Sequence, residues 1–138
     1  MNPASTEIIA WIRSFAAAVR ARDFAAAESL FLEDVVGFGT VGHMLTSRAD
    51  LRRHQWEIVW NRTTGFDFDE RTLVVQEGHG IAAVLAEWSS TGYDPSQKPF
   101  LRRGRATILL QRVEGGWKAS HTHFSFTPAA FHDPLFHH

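Results

Sequence analysis

Apolar residues recur at three- and four-residue spacing near the start of the chain, at Ile8, Ile9, Ile12, Phe15, Ala16 and Val19. That is the period of a helix with one buried face. Pro3 precedes this run and Ser5 stands where a cap belongs, so a helix is expected over residues 5–20. Asp23 is placed to cap a second, shorter helix whose stripe is Phe24, Ala27, Leu30 and Phe31, ending near the acidic pair Glu33 and Asp34. The two form a hairpin. Residues 35–41 are rich in Val and Gly and predict a short strand, with bends permitted at Gly37, Gly39 and Gly42. Ser47-Arg48-Ala49-Asp50 is close to a capping box, with Asp in place of Glu, and opens a third helix to about Trp60. Leu51, Trp56, Val59 and Trp60 supply its buried side.

After Gly65 the pattern changes to alternation and β-branched residues. Four long strands are predicted, over 66–77, 81–93, 100–113 and 117–126. The linkers Gly78-His79-Gly80, Asp94-Pro95-Ser96 and Glu114-Gly115-Gly116 are short enough for antiparallel neighbours, which makes a four-strand meander. The order of elements is an α+β layout, with three N-terminal helices covering one side of a curved, mostly antiparallel sheet. Residues 1–128 form the expected domain, and 129–138 a His-bearing C-terminal tail.

Composition narrows the classes. A chain of 138 residues supports one core of ordinary size. Fourteen Lys and Arg against 15 Asp and Glu leave a net charge of -1, with no electrostatic footprint for nucleic acid or anionic membrane. The absence of Cys removes disulfides, thiolate zinc, iron-sulfur clusters and a Cys nucleophile. No apolar run approaches about 18 residues and the first residues lack the pattern of a signal peptide, so a cytoplasmic protein is expected. Gly37, Gly39 and Gly42 fit neither phosphate-loop spacing, and no nucleophile elbow surrounds a serine, so no cofactor is expected.

Several residues are candidates for chemistry. On an unbroken strand His121 and His123 emerge on one face with Trp117, Ala119 and Ser125. They read as an acid/base pair or pocket groups, because imidazole titrates near neutral pH, or as structural partners for neighbouring strands. Metal binding by this His-x-His pair would need His43, His54 or a carboxylate brought close, and no metal is expected. His54 itself reads as surface. Arg103, Arg105 and Thr107 share one parity of their strand, opposite to Arg102, Gly104, Ala106 and Ile108. A guanidinium there would grip a carboxylate, or lie on a solvated face opposite Glu87 or Asp69. Trp56 and Trp60 share a helix face at i and i+4, and with Trp88 read as an aromatic wall for a ring compound or as plain core.

The segment Leu30-Phe31-Leu32-Glu33-Asp34-Val35-Val36 and the ending Gly116-Trp117-Lys118-Ala119-Ser120-His121-Thr122-His123-Phe124-Ser125 resemble the SnoaL-like branch of the nuclear transport factor 2-like superfamily. The ending is also similar to the Gly-x-Trp, His-x-His-x-Ser pattern of the calcium/calmodulin-dependent kinase II association domain, and Arg105-Ala106-Thr107 to an Arg-x-Thr feature of the same branch. The likeness spans nearly the whole chain. It implies a cone with a pocket between sheet and helices, a homodimer through the sheet, and one of several activities, since this scaffold carries isomerases, dehydratases, epoxide hydrolases, cyclases and non-catalytic adaptors. In ketosteroid isomerase relatives the catalytic Asp and Tyr fall near Gly39 and Phe15 of this chain, and neither replacement performs the role. The expectation is a cofactor-independent pocket protein for a small apolar or acidic organic ligand. His123 and His121 would be its acid/base groups, and Arg105, Thr107, Trp56, Trp60 and Trp88 its ligand contacts. The alternative is a non-catalytic association or ligand-binding module.

Overall fold

Helix α1 spans Pro3–Ala21 in the computed structural model, which describes residues 3–128; the tail 129–138 lies outside the described residues. The helix begins two residues before Ser5, because proline at a first helical turn has its φ already set and no N–H to leave unpaired. Ile8, Trp11, Ile12, Phe15 and Val19 are its buried stripe. Arg22 ends it in the left-handed region at φ 54°. Its guanidinium donates to the carbonyls of Trp60 (2.9 Å) and Thr63 (3.0 Å), which ties this corner to the third helical stretch.

Helix α2 is only Phe24–Glu28, capped by Asp23, whose side chain accepts from the Ala26 N–H. The expected continuation to Glu33 and Asp34 is instead strand β1, Phe31–Phe38. The Leu30 carbonyl accepts from Ala119 N (2.9 Å) and Trp11 Nε1 (3.1 Å), so the backbone is drawn onto the sheet at the point where spacing alone reads helix. Glu33 and Asp34 are exposed within the register shift between Phe31 and Val36. The third helical stretch, α3, occupies residues 48–62 and is not uniform. An α-turn at Arg48–Leu51 is capped by Ser47, a π-helical segment follows at Arg52–Trp56, then a turn at Glu57–Val59 and a 3-10 turn at Trp60–Arg62.

The strand expected over 66–77 is two strands, β2 (Thr63–Phe68) and β3 (Val74–Glu77). Asp69 breaks it by accepting from the Arg71 N–H at 3.0 Å, an Asx turn that competes with the ladder. Strands β4 (Ile81–Tyr93), β5 (Pro99–Val113) and β6 (Gly116–Phe126) match expectation to within one residue. The order is β1-β6-β5-β4-β2, with β3 also on β4; β1 runs parallel to β6 and the remaining pairs are antiparallel. The helices cover one face of this curved, unclosed sheet, and the core lies between them. No described helix is long and apolar enough to cross a membrane.

The inner sheet face alternates as strands require. Ala82, Val84, Ala86, Trp88 and Ser90 of β4 point inward, as do Ala106, Ile108 and Leu110 of β5. Gly104 belongs to the same row: a Cβ there would lie 2.1 Å from the Ser125 carbonyl oxygen and 2.3 Å from Trp88 Cζ2, so the missing side chain is what lets the indole lie across β5. On β6 the simple alternation fails. Leu109 pairs with His121 but Leu110 with Ala119, so Ser120 is an extra residue that flips the parity. Trp117 and Ala119 face the core before the bulge, and Thr122 and Phe124 face it afterwards.

Candidate functional site

Between α1, α3 and the inner sheet face the side chains leave a cavity of about 50 Å³. Phe15 and Val19 of α1, Gln55, Trp56, Val59 and Trp60 of α3, Thr63 and Phe66 of β2, Trp88, Arg102, Phe124 and the loop residue Thr40 line it. Trp56 and Trp60 stack at 4.9 Å between centroids, the arrangement the i, i+4 spacing permits. Phe15 contacts Trp60, Phe66 and Phe124 at centroid distances of 5.9, 6.3 and 6.2 Å, and Phe66 lies 5.8 Å from Trp88. The inner end is buried, while Thr40, Val59, Arg102 and Phe124 are part-exposed and mark the open end.

Two polar side chains stand out against these aromatic walls. Arg102 is half-buried and donates to Ser90 Oγ at 3.1 Å and to Thr40 Oγ1 at 3.2 Å. Its guanidinium lies 5.5 Å from the centre of Trp88 and 5.1 Å from that of Phe126. Among the described residues no carboxylate pairs with it. Burial pushes its pKa below the ordinary arginine value, yet a guanidinium keeps its proton in proteins. Gln55 is 7% exposed, and its amide makes no hydrogen bond to a side chain or backbone group among the described residues. It sits in the π-helical segment, and a Cβ on Gly39 would fall 1.7 Å from Gln55 Nε2. Gly39 thus gives Gln55 its place.

Of the expected site residues, the structure gathers Trp56, Trp60 and Trp88 on the cavity wall and leaves four elsewhere. Arg105 and Thr107 lie on the outer sheet face, opposite Ser125 and His123 across the β5–β6 ladder. His121 and His123 are on that face too, because the Ser120 bulge turns them away from the side held by Trp117 and Ala119. His121 Nδ1 is 2.7 Å from the Val36 carbonyl oxygen, and Phe38 meets both imidazoles edge-on at 5.3 and 5.0 Å. Arg105 bonds Ser125 Oγ at 3.2 Å. Neither imidazole reaches the cavity. Among the described residues no three His, Asp or Glu side chains converge as a metal site, and His43 and His54 are exposed.

Sequence reasoning passed over Arg102 and Gln55, although each carries a signal. Gln55 interrupts the stripe Leu51, Gln55, Val59 at successive i+4 steps, where a polar residue faces the core. Arg102 shares strand parity with Gly104, Ala106 and Ile108, small and apolar residues that mark the covered face.

Comparisons with known proteins agree on the scaffold. The sequence pattern of the SnoaL-like domain matches residues 8–129. Curated proteins show no match. Among solved structures, a candidate dehydratase of the nuclear transport factor 2-like family from Streptomyces avermitilis superposes with TM-score 0.79 at 19% identity, covering 91% of this chain and 98% of that one. A ketosteroid isomerase-like protein from Erwinia carotovora atroseptica gives 0.77 at 16% identity, over 94% and 100%. A candidate calcium/calmodulin-dependent protein kinase II association domain from Xanthomonas campestris gives 0.77 at 19%, over 88% and 86%. At these identities the likeness is one of fold, and the three names span an enzyme class, an isomerase-like protein and an association domain. Since that pattern spans most of its length, the chain belongs to the SnoaL-like domain family.

Proposed function

We propose that this chain is a small-molecule pocket protein that holds a ring-containing organic compound between its helices and the inner face of its sheet. The observation that carries this reading is the lining: six of its 12 residues are aromatic, and the Gln55 amide and a half-buried guanidinium supply polar contacts. Among the described residues the lining holds no carboxylate, imidazole or phenol to take or deliver a proton. That supports binding rather than acid/base turnover here, with His121 and His123 outside the described lining. The positions where ketosteroid isomerase relatives carry their acid groups, near Phe15 and Gly39, support the same reading, since one lines the cavity with a phenyl ring and the other yields its space to Gln55.

Thermal unfolding against a panel of small ring acids, ketones and alcohols tests the proposal. A ligand at about 100 times its Kd stabilises by roughly 2.7 kcal/mol, a rise of several degrees. The rise should survive His123→Ala; an effect of that variant on binding, or a panel without any rise, counts against the pocket reading. A second copy docking on the outer face is a compatible reading, favoured by Leu85 and Leu109, which are 38% and 40% exposed on neighbouring strands there. Sedimentation of Leu109→Lys tests it, with a shift toward monomer expected.

A further inference from the structure

We infer that the cavity takes an anion, a single-ring aromatic carboxylate whose acid group meets Arg102 at the open end while its ring lies among Trp88, Phe66 and Phe124. This deepens the ring-binding reading above and rests on it.

Among the described residues Arg102 is the only titratable side chain in the lining, and its partners, Ser90 and Thr40, are neutral hydroxyl acceptors. A guanidinium removed from water gains more from an ionised acceptor than from a neutral one, and its planar fork fits the two oxygens of a carboxylate. The flanking Trp88 and Phe126 rings lie against that fork without supplying a counter-charge. Gln55, on the cavity wall of α3, adds a donor and an acceptor for a ring substituent.

Size narrows the class further. The cavity is about 50 Å³, whereas roughly 150 Å³ of dry cavity accommodates one benzene ring. Admission of one ring therefore needs the open end to give way, and the groups placed to move are Arg102, held by two neutral hydrogen bonds, and the half-exposed Phe126. A fused second ring would require the buried Trp56–Trp60 stack to part as well.

Benzoate, benzamide and 2-naphthoate are the probes, titrated against the full chain by tryptophan fluorescence and calorimetry. Benzoate is expected to bind at least 10-fold tighter than benzamide and tighter than 2-naphthoate. Arg102→Met should weaken benzoate roughly 10- to 100-fold and move benzamide less than about threefold, with Arg102→Lys between. Should Arg102→Met fail to fold, the benzoate-to-benzamide ratio in the unaltered chain and in Arg102→Lys still decides. Equal binding of benzoate and benzamide, or benzoate affinity indifferent to position 102, overturns the anion inference and leaves the ring pocket standing. Stronger binding of 2-naphthoate overturns the one-ring limit. Silence from all three probes overturns the inference, and silence across the wider panel as well brings down the pocket reading beneath it.

Discussion

Arg102 and Arg105 stand three residues apart on β5 and meet different surroundings. Arg105 projects from the outer face, exposed, with one bond to Ser125 Oγ and Glu87 beside it on β4. Water solvates that charge, and a ligand arriving there would gain little from it. Arg102 lies half-buried on the inner face with aromatic rings on two sides. The same contrast separates the histidines from the tryptophans: the imidazoles lie on the outer side, while Trp56, Trp60 and Trp88 enclose the cavity. The residue type that looks most reactive is therefore not the one best placed. Exclusion of water, decided by which face the helices cover, selects the groups that can recognise a ligand.

The sharpest way to break this comparison is to delete one group from each face. Phe15 is 2% exposed and meets six other aromatic rings, so Phe15→Ala should cost about 3–5 kcal/mol in urea denaturation. His123→Ala on the outer face should stay within about 0.5 kcal/mol. Equal losses would mean that the outer face is as densely held as the inner one. A smaller effect, of opposite sign, is expected for Gln55→Leu. The amide faces the cavity and keeps some access to solvent, so replacing it by an apolar group of similar size should raise stability by no more than about 0.5 kcal/mol while weakening any ligand that uses the amide.

The smallest effect belongs to a contact on the rim. Arg13 donates to both carboxylate oxygens of Glu70 at 3.0 and 2.7 Å and, through those hydrogen bonds first, holds its pKa below the usual range. A carboxyl whose native pKa is lowered contributes stability above its unfolded value of about 4.3, and that contribution is lost as pH falls through the lower native value. Thermal melts between about pH 3 and neutrality should therefore show a shallower acid limb for Glu70→Gln and little change at neutral pH.

Much of the architecture could be read from spacing. The α1 stripe, the long strands β4 to β6 and the turns between them follow from period and turn chemistry, and the tryptophans of the cavity wall from their i, i+4 placement. Two local misreadings have tertiary causes. Phe31 continues a helical stripe in sequence, yet β6 captures that backbone into the sheet. Ser120 leaves no mark of a bulge on the alternation around it, and one inserted residue moved both histidines to the other face. Period shows which residues travel together along a strand. Only the packed helices decide which set is enclosed, so Arg102 lies on the covered face and Arg105 on the open one.

Gly39 and Gln55 lie 16 positions apart, and the Gln55 amide fills the space a side chain at position 39 would enter. The two positions are consequently coupled. An acid introduced at position 39 would displace the amide end of Gln55 unless residue 55 were shortened with it. Any such exchange would swap a neutral amide for a carboxylate within one small volume, close to the Thr40 that Arg102 already touches. Diversification of this pocket is thus expected to proceed by paired replacements at 39 and 55, and a survey of single variants would overlook the route.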